Sequence, residues 1–358
     1  MTVTRCPVIC GTQFELAGPT GDAYVESLED GEPFPDDVLP LLEEILPADA
    51  VAFDVGANIG VYALALATLA PRGHVHAFEP NPNIVHHLRS NLNANDVANV
   101  VVHEAAVSSE AGSMRFKENP DFAAGSVTID QAAEIFQDAY SAGAIEVPSV
   151  TIDDVVAENH LGSLDLLKID TEGHELDVLR GSRRTLEQFR PLVALEFSSF
   201  ALTMHRRLLP SDALEEVRSI FDRVFVTTTG RFREIHDEAT AVEFLYENAF
   251  AAPVQDLFCV FNDSRLARSV ERLAETRSGV AGVSEVDWLR EQLRDHRKSV
   301  DWLQERLDAH EAALDVERRR ADTAEAALDE KDAQLDALRA TYSWRLTRPL
   351  RAVRRSLR

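Results

Sequence analysis

Short apolar segments alternate with longer segments of helical spacing through residues 50–263. The short segments are apolar on both faces, as in strands of a parallel sheet that is covered on both sides. They predict seven strands, at 50–55, 74–80, 100–107, 164–170, 191–197, 223–228 and 257–261. Helical spacing between them predicts helices at 59–69, 82–94, 174–189 and 211–221. We therefore expect an α/β fold built on one seven-stranded sheet.

Two regions depart from this alternation. Residues 1–49 precede the first strand of the sheet, and we expect them to form a lid or an N-terminal extension that packs beside the ligand site. Between residues 108 and 154, short strand-like runs replace the pattern of long strand and helix. We expect this insertion to shape a substrate pocket.

A glycine turn joins the first strand to the first helix. Asp54 is the only charged residue of that strand, and Gly56 and Gly60 bracket the turn. Because glycine has no side chain, the backbone amides of such a turn can approach a ligand closely. Asn58 is a candidate N-cap for the helix. The alternative interpretation is a tight turn that binds nothing.

The spacing of this turn, D-x-G-x-x-x-G, lacks the middle glycine of the dinucleotide fingerprint. A ligand without a pyrophosphate, carrying an amino-acid end and a ribose, therefore suits the turn better. Glu79 ends the second predicted strand 25 residues after Asp54, about where a β-α-β unit places an acid for ribose hydroxyls. We predict that Glu79 binds the ribose.

Three ordered motifs carry a family resemblance: FDVGANIG at 53–60, FEP at 78–80 and KIDTEGHE at 168–175. Together they resemble the FkbM family of S-adenosylmethionine-dependent methyltransferases, over residues 51–260. The resemblance implies a Rossmann-like, seven-stranded class I methyltransferase sheet at 50–263 and S-adenosylmethionine as cofactor. The cofactor-binding residues that it implies are Asp54, Gly56, Ala57, Asn58, Gly60 and Glu79, with Glu104 and Ala105 near the adenine.

Acidic residues cluster after the fourth predicted strand. Asp170 ends that strand, at the edge where open α/β sheets bind ligands. The candidate catalytic bases or acceptor-binding groups are Asp170, Glu172, Glu175, Glu196, His174 and His205. Two of the acids could also bridge a divalent metal to a sugar diol, although no residues define a metal site. For each acid alone, capping a helix or pairing with Lys168 is an equal alternative.

The chain changes character after residue 263. We expect a linker at 264–282 and a coiled coil at 283–340, because every seventh residue from Val286 to Leu335 is apolar. The heptad positions three residues after these form the second half of the coiled-coil interface, and they include His296, His310 and Glu317. These polar residues weaken a simple dimer, so we expect a particular homo-oligomer or a partner chain. The alternative is a single solvated helix.

An arginine-rich tail follows at 341–358. Residues 339–358 hold seven arginines and no acid, interleaved with Trp344 and leucines. The S-W-R-x-T-x-P-x-R pattern of the tail resembles tails of bacterial enzymes that build cell-surface polysaccharides. Such an amphipathic segment can lie on an anionic membrane surface, whereas a solvated basic tail is the alternative.

Composition narrows the function further. A formal charge of −25 argues against binding to nucleic acid, whose phosphates need a basic face. No apolar run reaches the length of a membrane span and no signal sequence is visible, so we expect a cytoplasmic protein with peripheral contact to the inner face of the membrane. Only three cysteines are present, and we expect them to be reduced.

These features predict an O-methyltransferase that acts on a sugar hydroxyl of a cell-surface polysaccharide or related glycoconjugate. Two alternatives remain open. One is a methyltransferase for small secondary metabolites, and the other is an inactive methyltransferase fold that recruits glycan enzymes. Cofactor binding separates the last from the other two.

Overall fold

The structure is a computed structural model, and it describes residues 2–34, 36–117, 127–128, 144–228, 231–250 and 254–278, together with Lys331. The chain divides into two units, residues 1–282 and 283–358, and the fold given below is that of the first. The predicted coiled coil and basic tail lie outside the described residues apart from Lys331.

The N-terminal segment, residues 2–49, forms two small two-stranded sheets and two short helices. Its elements are β1 (Thr2–Arg5), β2 (Val8–Ile9), β3 (Thr12–Gln13), β4 (Leu16–Pro19), α1 (Ala23–Glu26) and α2 (Leu39–Ile45). β1 pairs with β4, and β2 pairs with β3. Asp22 caps α1, because its Oδ1 accepts a hydrogen bond from the Val25 amide at 3.0 Å.

The rest of the first unit alternates strands and helices. The strands are β5 (Val51–Val55), β6 (His74–Phe78), β7 (Val100–His103), β8 (Ala106–Val107), β9 (Gly112–Lys117), β10 (Val127–Thr128), β11 (Ile145–Val150), β12 (Leu166–Ile169), β13 (Leu192–Ser198), β14 (Arg223–Thr228), β15 (Arg231–Glu234) and β16 (Val254–Val260). The helices are α3 (Val61–Leu69), α4 (Pro82–Ala94), α5 (Ile152–Glu158), α6 (Glu175–Arg180), α7 (Arg183–Phe189), α8 (Ser199–Arg206), α9 (Pro210–Ile220), α10 (Glu238–Phe250) and α11 (Ala267–Ser278).

The main sheet has eight strands in the described residues, in the order β15-β14-β16-β13-β12-β5-β6-β7. Strands β7, β6, β5, β12 and β13 run parallel, while β16 is antiparallel to both of its neighbours. The predicted count of seven is therefore one too low. The extra strand, β15, is an edge strand whose Phe232 is buried against Phe225, with ring centroids 4.8 Å apart. Both neighbours of Phe232 in the sequence are arginines, so this segment contains no apolar run that would predict a strand.

Three predicted elements end elsewhere than expected. The third strand stops at His103, and β8 joins a second sheet of order β10-β9-β11-β8 that is built from the insertion. The helix predicted at 174–189 is broken into α6 and α7, because Gly181 packs against Ser108: a Cβ there would lie 2.1 Å from the Ser108 carbonyl oxygen. Gly60, not Asn58, is the N-cap of α3, because the helix begins only at Val61 and Asn58 lies in the turn before it.

Side chains of the main sheet alternate between two cores. The first face carries Ala52, Leu166, Leu192, Phe225, Phe258 and Val260 and packs on the N-terminal segment, α3 and α11. The second face carries Phe53, Leu167, Val193, Val224, Leu257 and Cys259 and packs on α5, α6, α9 and α10. This alternation determines which polar side chains share a face at the ends of the strands.

The predicted linker at 264–282 contains a packed helix instead. Within α11 and just before it, Leu266, Val270 and Leu273 are buried at helical spacing in the first core. Arg265 donates to Asp165 at 3.1 Å and to Asp49 at 2.8 Å. These bonds link the start of the helix to the amino-terminal ends of β12 and β5. The methyltransferase-like fold therefore extends to Ser278.

Candidate active site

A cleft opens at the carboxyl ends of β5, β6 and β12, where parallel strands of an α/β sheet bind ligands. It encloses about 890 Å³, including open solvent at its mouth. The glycine turn, the end of β6 and the loop after β12 line the cleft. The N-terminal segment adds Tyr24, and the second sheet adds Ala106 and Phe116.

Packing alone requires both glycines of the turn. Gly56 has φ 86°, and a Cβ on it would lie 1.8 Å from the carbonyl oxygen of Asp170. A Cβ on Gly60 would lie 2.6 Å from Leu88 Cδ1. The amides of Gly56 and Ala57 both donate to the Phe78 carbonyl, so neither of these N–H groups is left for a cofactor. The predicted role of Gly56 and Gly60 in binding the cofactor stays a prediction, and any such contact does not use the Gly56 amide.

Glu79 joins the turn to the end of β6. Its Oε2 accepts from the Asn58 amide at 3.0 Å and its Oε1 from the Asn81 amide at 2.9 Å. Burial raises the pKa of Glu79 to about 7, against the lowering effect of these two amides. Each carboxylate oxygen keeps a further lone pair, so the side chain can still accept hydrogen bonds from a diol.

The same end of the cleft contains an unsatisfied acceptor. Asn58 Oδ1 is buried and has no hydrogen-bond partner in the part of the chain that the structure describes. A buried amide oxygen without a donor is costly, and a ligand that brings hydroxyl or ammonium donors would satisfy it. Glu79 and Asn58 together therefore fit the ribose and amino-acid ends of S-adenosylmethionine.

Lys168 sits at the floor of the cleft between two acids. Its Nζ donates to Asp170 Oδ2 at 3.0 Å and lies 4.0 Å from Asp54 Oδ1. The ammonium also lies 4.2 Å from the centroid of the Tyr62 ring. Burial raises the pKa of Asp54 to about 6, although Lys168 opposes the shift. Asp54 is fully buried and does not line the cleft, so it acts on the site through Lys168.

The loop after β12 is fixed by Glu175. Its Oε1 accepts from the amides of Thr171 and Gly173, at 3.0 and 2.9 Å, and from the Thr171 hydroxyl. Glu175, a candidate base in the sequence, therefore holds the conformation of this loop. Glu172 adopts a left-handed φ of 55°, which is rare for a residue with a side chain and marks a strained position. The His205 Nδ1 lies 3.4 Å from the Glu172 carbonyl oxygen and supports this conformation.

Glu172 is the acid that is best placed to take a proton. It lines the cleft, and no hydrogen-bond donor reaches its carboxyl group within the described ranges. Burial raises the pKa of Glu172 to about 8, and the charges of Asp170 and Glu175 add to the shift. A pKa near the working pH is what general-base catalysis favours.

His174 lines the cleft but does not serve as a base. Its Nδ1 accepts from Arg206 at 2.6 Å, so its Nε2 carries the proton that it donates to Ser108 Oγ at 3.0 Å. Burial and the nearby Arg206 charge lower the pKa of His174 to about 4. Arg206 also bonds Asp177. Both ring nitrogens are therefore occupied by a buried structural network.

Of the residues predicted from the sequence, eight line the cleft: Gly56, Ala57, Asn58, Glu79, Ala105, Asp170, Glu172 and His174. Asp54, Gly60, Glu104, Glu175, Glu196 and His205 do not. Glu104 is exposed and bonds Arg89 at 2.9 Å, because the chain leaves the sheet just before it. Tyr24 and Tyr62 were missed, since a lone tyrosine carries no spacing signal. The described residues contain no cluster of metal ligands.

Comparison with known proteins agrees with this geometry. Residues 54–225 match the methyltransferase FkbM domain model. The hexuronic acid methyltransferase AglP of Haloferax volcanii is 30% identical over 191 residues, which cover 51% of this chain and 71% of AglP. The chain belongs to the FkbM methyltransferase family. It is accordingly an S-adenosylmethionine-dependent methyltransferase.

Further relatives differ in what their names describe. The 31-O-demethyl-FK506 methyltransferase FkbM of Streptomyces tacrolimicus is 36% identical over 38% of this chain and 61% of its own length. The 2-O-methyltransferase NoeI of Sinorhizobium fredii is 29% identical over 52% of this chain and 77% of its own.

Two solved structures are also similar. The FkbM methyltransferase of Methylobacillus flagellatus has a TM-score of 0.35 and 16% identity over 59% of this chain and 44% of its own. SMU.1697c of Streptococcus mutans, in complex with SAH, has a TM-score of 0.36 and 10% identity over 64% of this chain and 99% of its own. No helix within the described residues is long and apolar enough to cross a membrane.

Proposed function

We propose that this family member transfers a methyl group to a sugar hydroxyl of a cell-surface polysaccharide or related glycoconjugate. The observation that carries the proposal is Glu172, a carboxyl group on the wall of the cleft that no described residue hydrogen-bonds and whose pKa is raised to about 8. A hydroxyl is a poor nucleophile until a base removes its proton, so such a carboxyl suits O-methyl transfer.

The cofactor would supply an electrophilic methyl group on a sulfonium. Glu79 and Asn58 would hold its ribose and amino-acid ends at the β6 side of the cleft. Glu172 and Asp170 lie at the opposite, β12 side, where the acceptor hydroxyl must arrive. Glu172 would take the hydroxyl proton, and the Lys168–Asp170 pair would orient the acceptor. Holding the acceptor oxygen in line with the methyl group supplies much of the rate enhancement.

A sugar acceptor is supported by two separate observations. The relative AglP is named for a hexuronic acid. The arginine-rich tail at 341–358 resembles tails of polysaccharide enzymes, and its six arginines suit an anionic membrane surface, where lipid-linked glycans are assembled. We propose that the coiled coil forms a homo-oligomer that presents several tails, so that the enzyme associates with the inner face of the membrane.

A small-molecule acceptor is the second candidate, favoured by the relative named for FK506. The two acceptor classes can be compared in one experiment. Full-length protein would be incubated with methyl-labelled S-adenosylmethionine and either lipid-linked oligosaccharides or a panel of hydroxylated macrolides. Label in the oligosaccharide fraction supports the proposal, whereas label in the macrolides alone would move the function to secondary metabolism. Glu172→Gln serves as the control for enzyme-dependent transfer.

A further inference from the structure

Polar side chains stand in register across four strands of the main sheet, next to the cleft. Within the paired strands, Glu196 of β13 lies opposite Asp256 of β16, and Asp256 lies opposite Thr227 of β14. On the other side, Ile169 pairs with Leu195, so Asp170 follows next to Glu196. We call Asp170, Glu196, Asp256 and Thr227 the polar row.

All four side chains belong to the same face of the sheet. Strand side chains alternate, and the residues two positions away from each member are Lys168, Ala194, Phe258 and Phe225. Of these, Ala194, Phe258 and Phe225 lie in the first core, which packs on the N-terminal segment and α3. On β13, β16 and β14 the first face is thus apolar inside the sheet and polar at its carboxyl edge. Neighbouring side chains in such a row are about 5 Å apart.

The polar row has acceptors but lacks donors. In the described part of the chain, Lys168 is the single cation paired with any of its acids, and Lys168 is already bonded to Asp170. Glu196 and Asp256 accept no hydrogen bond there. Burial raises the pKa of Asp256 to about 7, and the charges of Asp170, Asp36 and Asp37 add to this shift. Burial likewise raises the pKa of Glu196 well above its usual range, with contributions from Asp170 and Glu172.

Thr227 supplies an independent observation. It is 3% exposed, and its Oγ1 is buried without a hydrogen-bond partner among the described residues. A threonine hydroxyl that served packing alone would be replaceable by the methyl group of valine, which has the same shape and no unsatisfied polar atom. The hydroxyl at the far end of the acidic row therefore points to a ligand that both donates and accepts hydrogen bonds.

We propose that the polar row is the acceptor subsite and takes an uncharged sugar ring whose hydroxyl groups donate to Glu196 and Asp256. The inference rests on the proposed function and deepens it. Burial and mutual repulsion already raise the pKa values of Glu196 and Asp256, so a further negative charge, such as that of a uronate, is disfavoured at this position. The Asp36 and Asp37 charges, on the segment packed against this face, act in the same direction. The enzyme would thus differ from AglP, whose name specifies a hexuronic acid.

The subsite can be tested without knowing the natural acceptor. Full-length protein saturated with S-adenosylhomocysteine would be examined by saturation-transfer NMR with three neutral disaccharides: cellobiose, lactose and mannobiose. Each would be paired with the analogue whose terminal C6 is oxidised to a carboxylate. We expect at least one neutral sugar to bind about tenfold more tightly than its uronate analogue, since loss of a charge-assisted contact is worth roughly that factor.

Two variants and a control decide between a ligand role and a structural role. Glu196→Gln should weaken binding of the neutral sugar about tenfold. It should also reduce the ratio of the affinity for the neutral sugar to that for the uronate. Thr227→Val keeps the shape of the side chain, so the protein should fold, and it should weaken sugar binding severalfold. Glu187→Gln, at an exposed position of α7, removes the same charge and should change nothing.

Three results would overturn the proposal. They are tighter binding of uronates by the wild type, no binding of any of these sugars, or sugar binding that Glu196→Gln and Thr227→Val leave intact. A separate calorimetric measurement of cofactor affinity distinguishes failure of the proposed function from failure of the acceptor subsite. A protein that fails to bind S-adenosylmethionine refutes the proposed function, whereas a protein that binds it and yet prefers uronates refutes only the subsite.

Discussion

Gly56 and Asp170 are in direct contact: a Cβ on Gly56 would lie 1.8 Å from the carbonyl oxygen of Asp170. This contact joins the glycine turn after β5 to the acidic loop after β12, two motifs far apart in the chain. The Asp170 amide also donates to the Val55 carbonyl at 3.0 Å, which continues the ladder of β5 and β12 into the cleft. The two motifs therefore position each other even without a ligand.

Gly56→Ala should consequently destabilise the protein in the absence of cofactor. The new methyl group would collide with the Asp170 carbonyl and would also stand at φ 86°, so we expect a loss of at least about 2 kcal/mol in unfolding free energy. Chemical denaturation measures it. Gly162→Ala is the matched control, because a Cβ there meets no atom within 4 Å. Equal stability of the two variants would contradict the packing role of Gly56.

Glu79→Ala should weaken the binding of S-adenosylmethionine. Loss of hydrogen bonds from the cofactor to this carboxylate predicts a decrease of about 1.5–3 kcal/mol in binding free energy. Isothermal titration calorimetry on the full-length protein measures it, and circular dichroism checks the fold, since Glu79 also holds the amides of Asn58 and Asn81. Unchanged affinity in a folded variant would remove the ribose assignment.

The candidate bases can be separated by their pH profiles. A raised carboxyl pKa means that Glu172 is protonated, and inactive as a base, below about pH 8. We therefore expect kcat/KM to rise with pH and to level off above about pH 8. Glu172→Gln should lower the rate about 10²-fold or more and remove this rise.

Asp170→Asn should reduce activity differently. It removes the carboxylate that Lys168 bonds at 3.0 Å and so disturbs the orientation of the acceptor, but it leaves Glu172 in place. The rise of kcat/KM with pH should therefore persist, at a lower rate and with a lower apparent pKa, because the Asp170 charge contributes to the raised pKa of Glu172. If the pH dependence disappears in Asp170→Asn and survives in Glu172→Gln, Asp170 is the base.

The sequence indicates the fold better than the site. Long apolar runs reveal the parallel strands, since both of their faces are buried, whereas the alternation of β15 around Phe232 is too short to stand out. Glu79 and Asp170 follow from their places at strand ends. The properties of Glu172 do not, because its raised pKa depends on burial and on neighbours from the folded loop.

Contacts between distant segments explain the remaining differences. Tyr24 reaches the cleft only through the folding of the N-terminal segment, and Asp36 of the same segment accepts from the Tyr62 hydroxyl at 2.5 Å. Nothing in the spacing of these residues predicts such a contact. The polar row had a visible signal, because each of its strands changes from apolar to polar at the same end of the same face. The row becomes visible only when the strands are placed in their folded register, which the sequence alone does not provide.

The basic tail can be tested by flotation with liposomes that contain anionic lipid. Each arginine near such a surface contributes about 1 kcal/mol, so tails joined in an oligomer should bind at low salt and release at high salt. Truncation after Leu338 should abolish flotation and preserve the oligomer, while truncation after Gly282 should also reduce the oligomer size. If the full-length protein stays in solution at low salt, a protein partner replaces the membrane as the target of the tail.

The position of the transferred methyl group distinguishes O-methylation of a sugar from the alternative reactions. Full-length enzyme, ¹³C-methyl-labelled S-adenosylmethionine and lipid-linked oligosaccharide would be incubated, and the product examined by two-dimensional NMR. We expect a labelled methoxy group correlated with a sugar ring carbon in the wild-type product, and none with Glu172→Gln. A labelled methyl group on nitrogen, on a carboxylate or on a non-sugar acceptor alone, or equal labelling by the Glu172→Gln variant, would contradict the account.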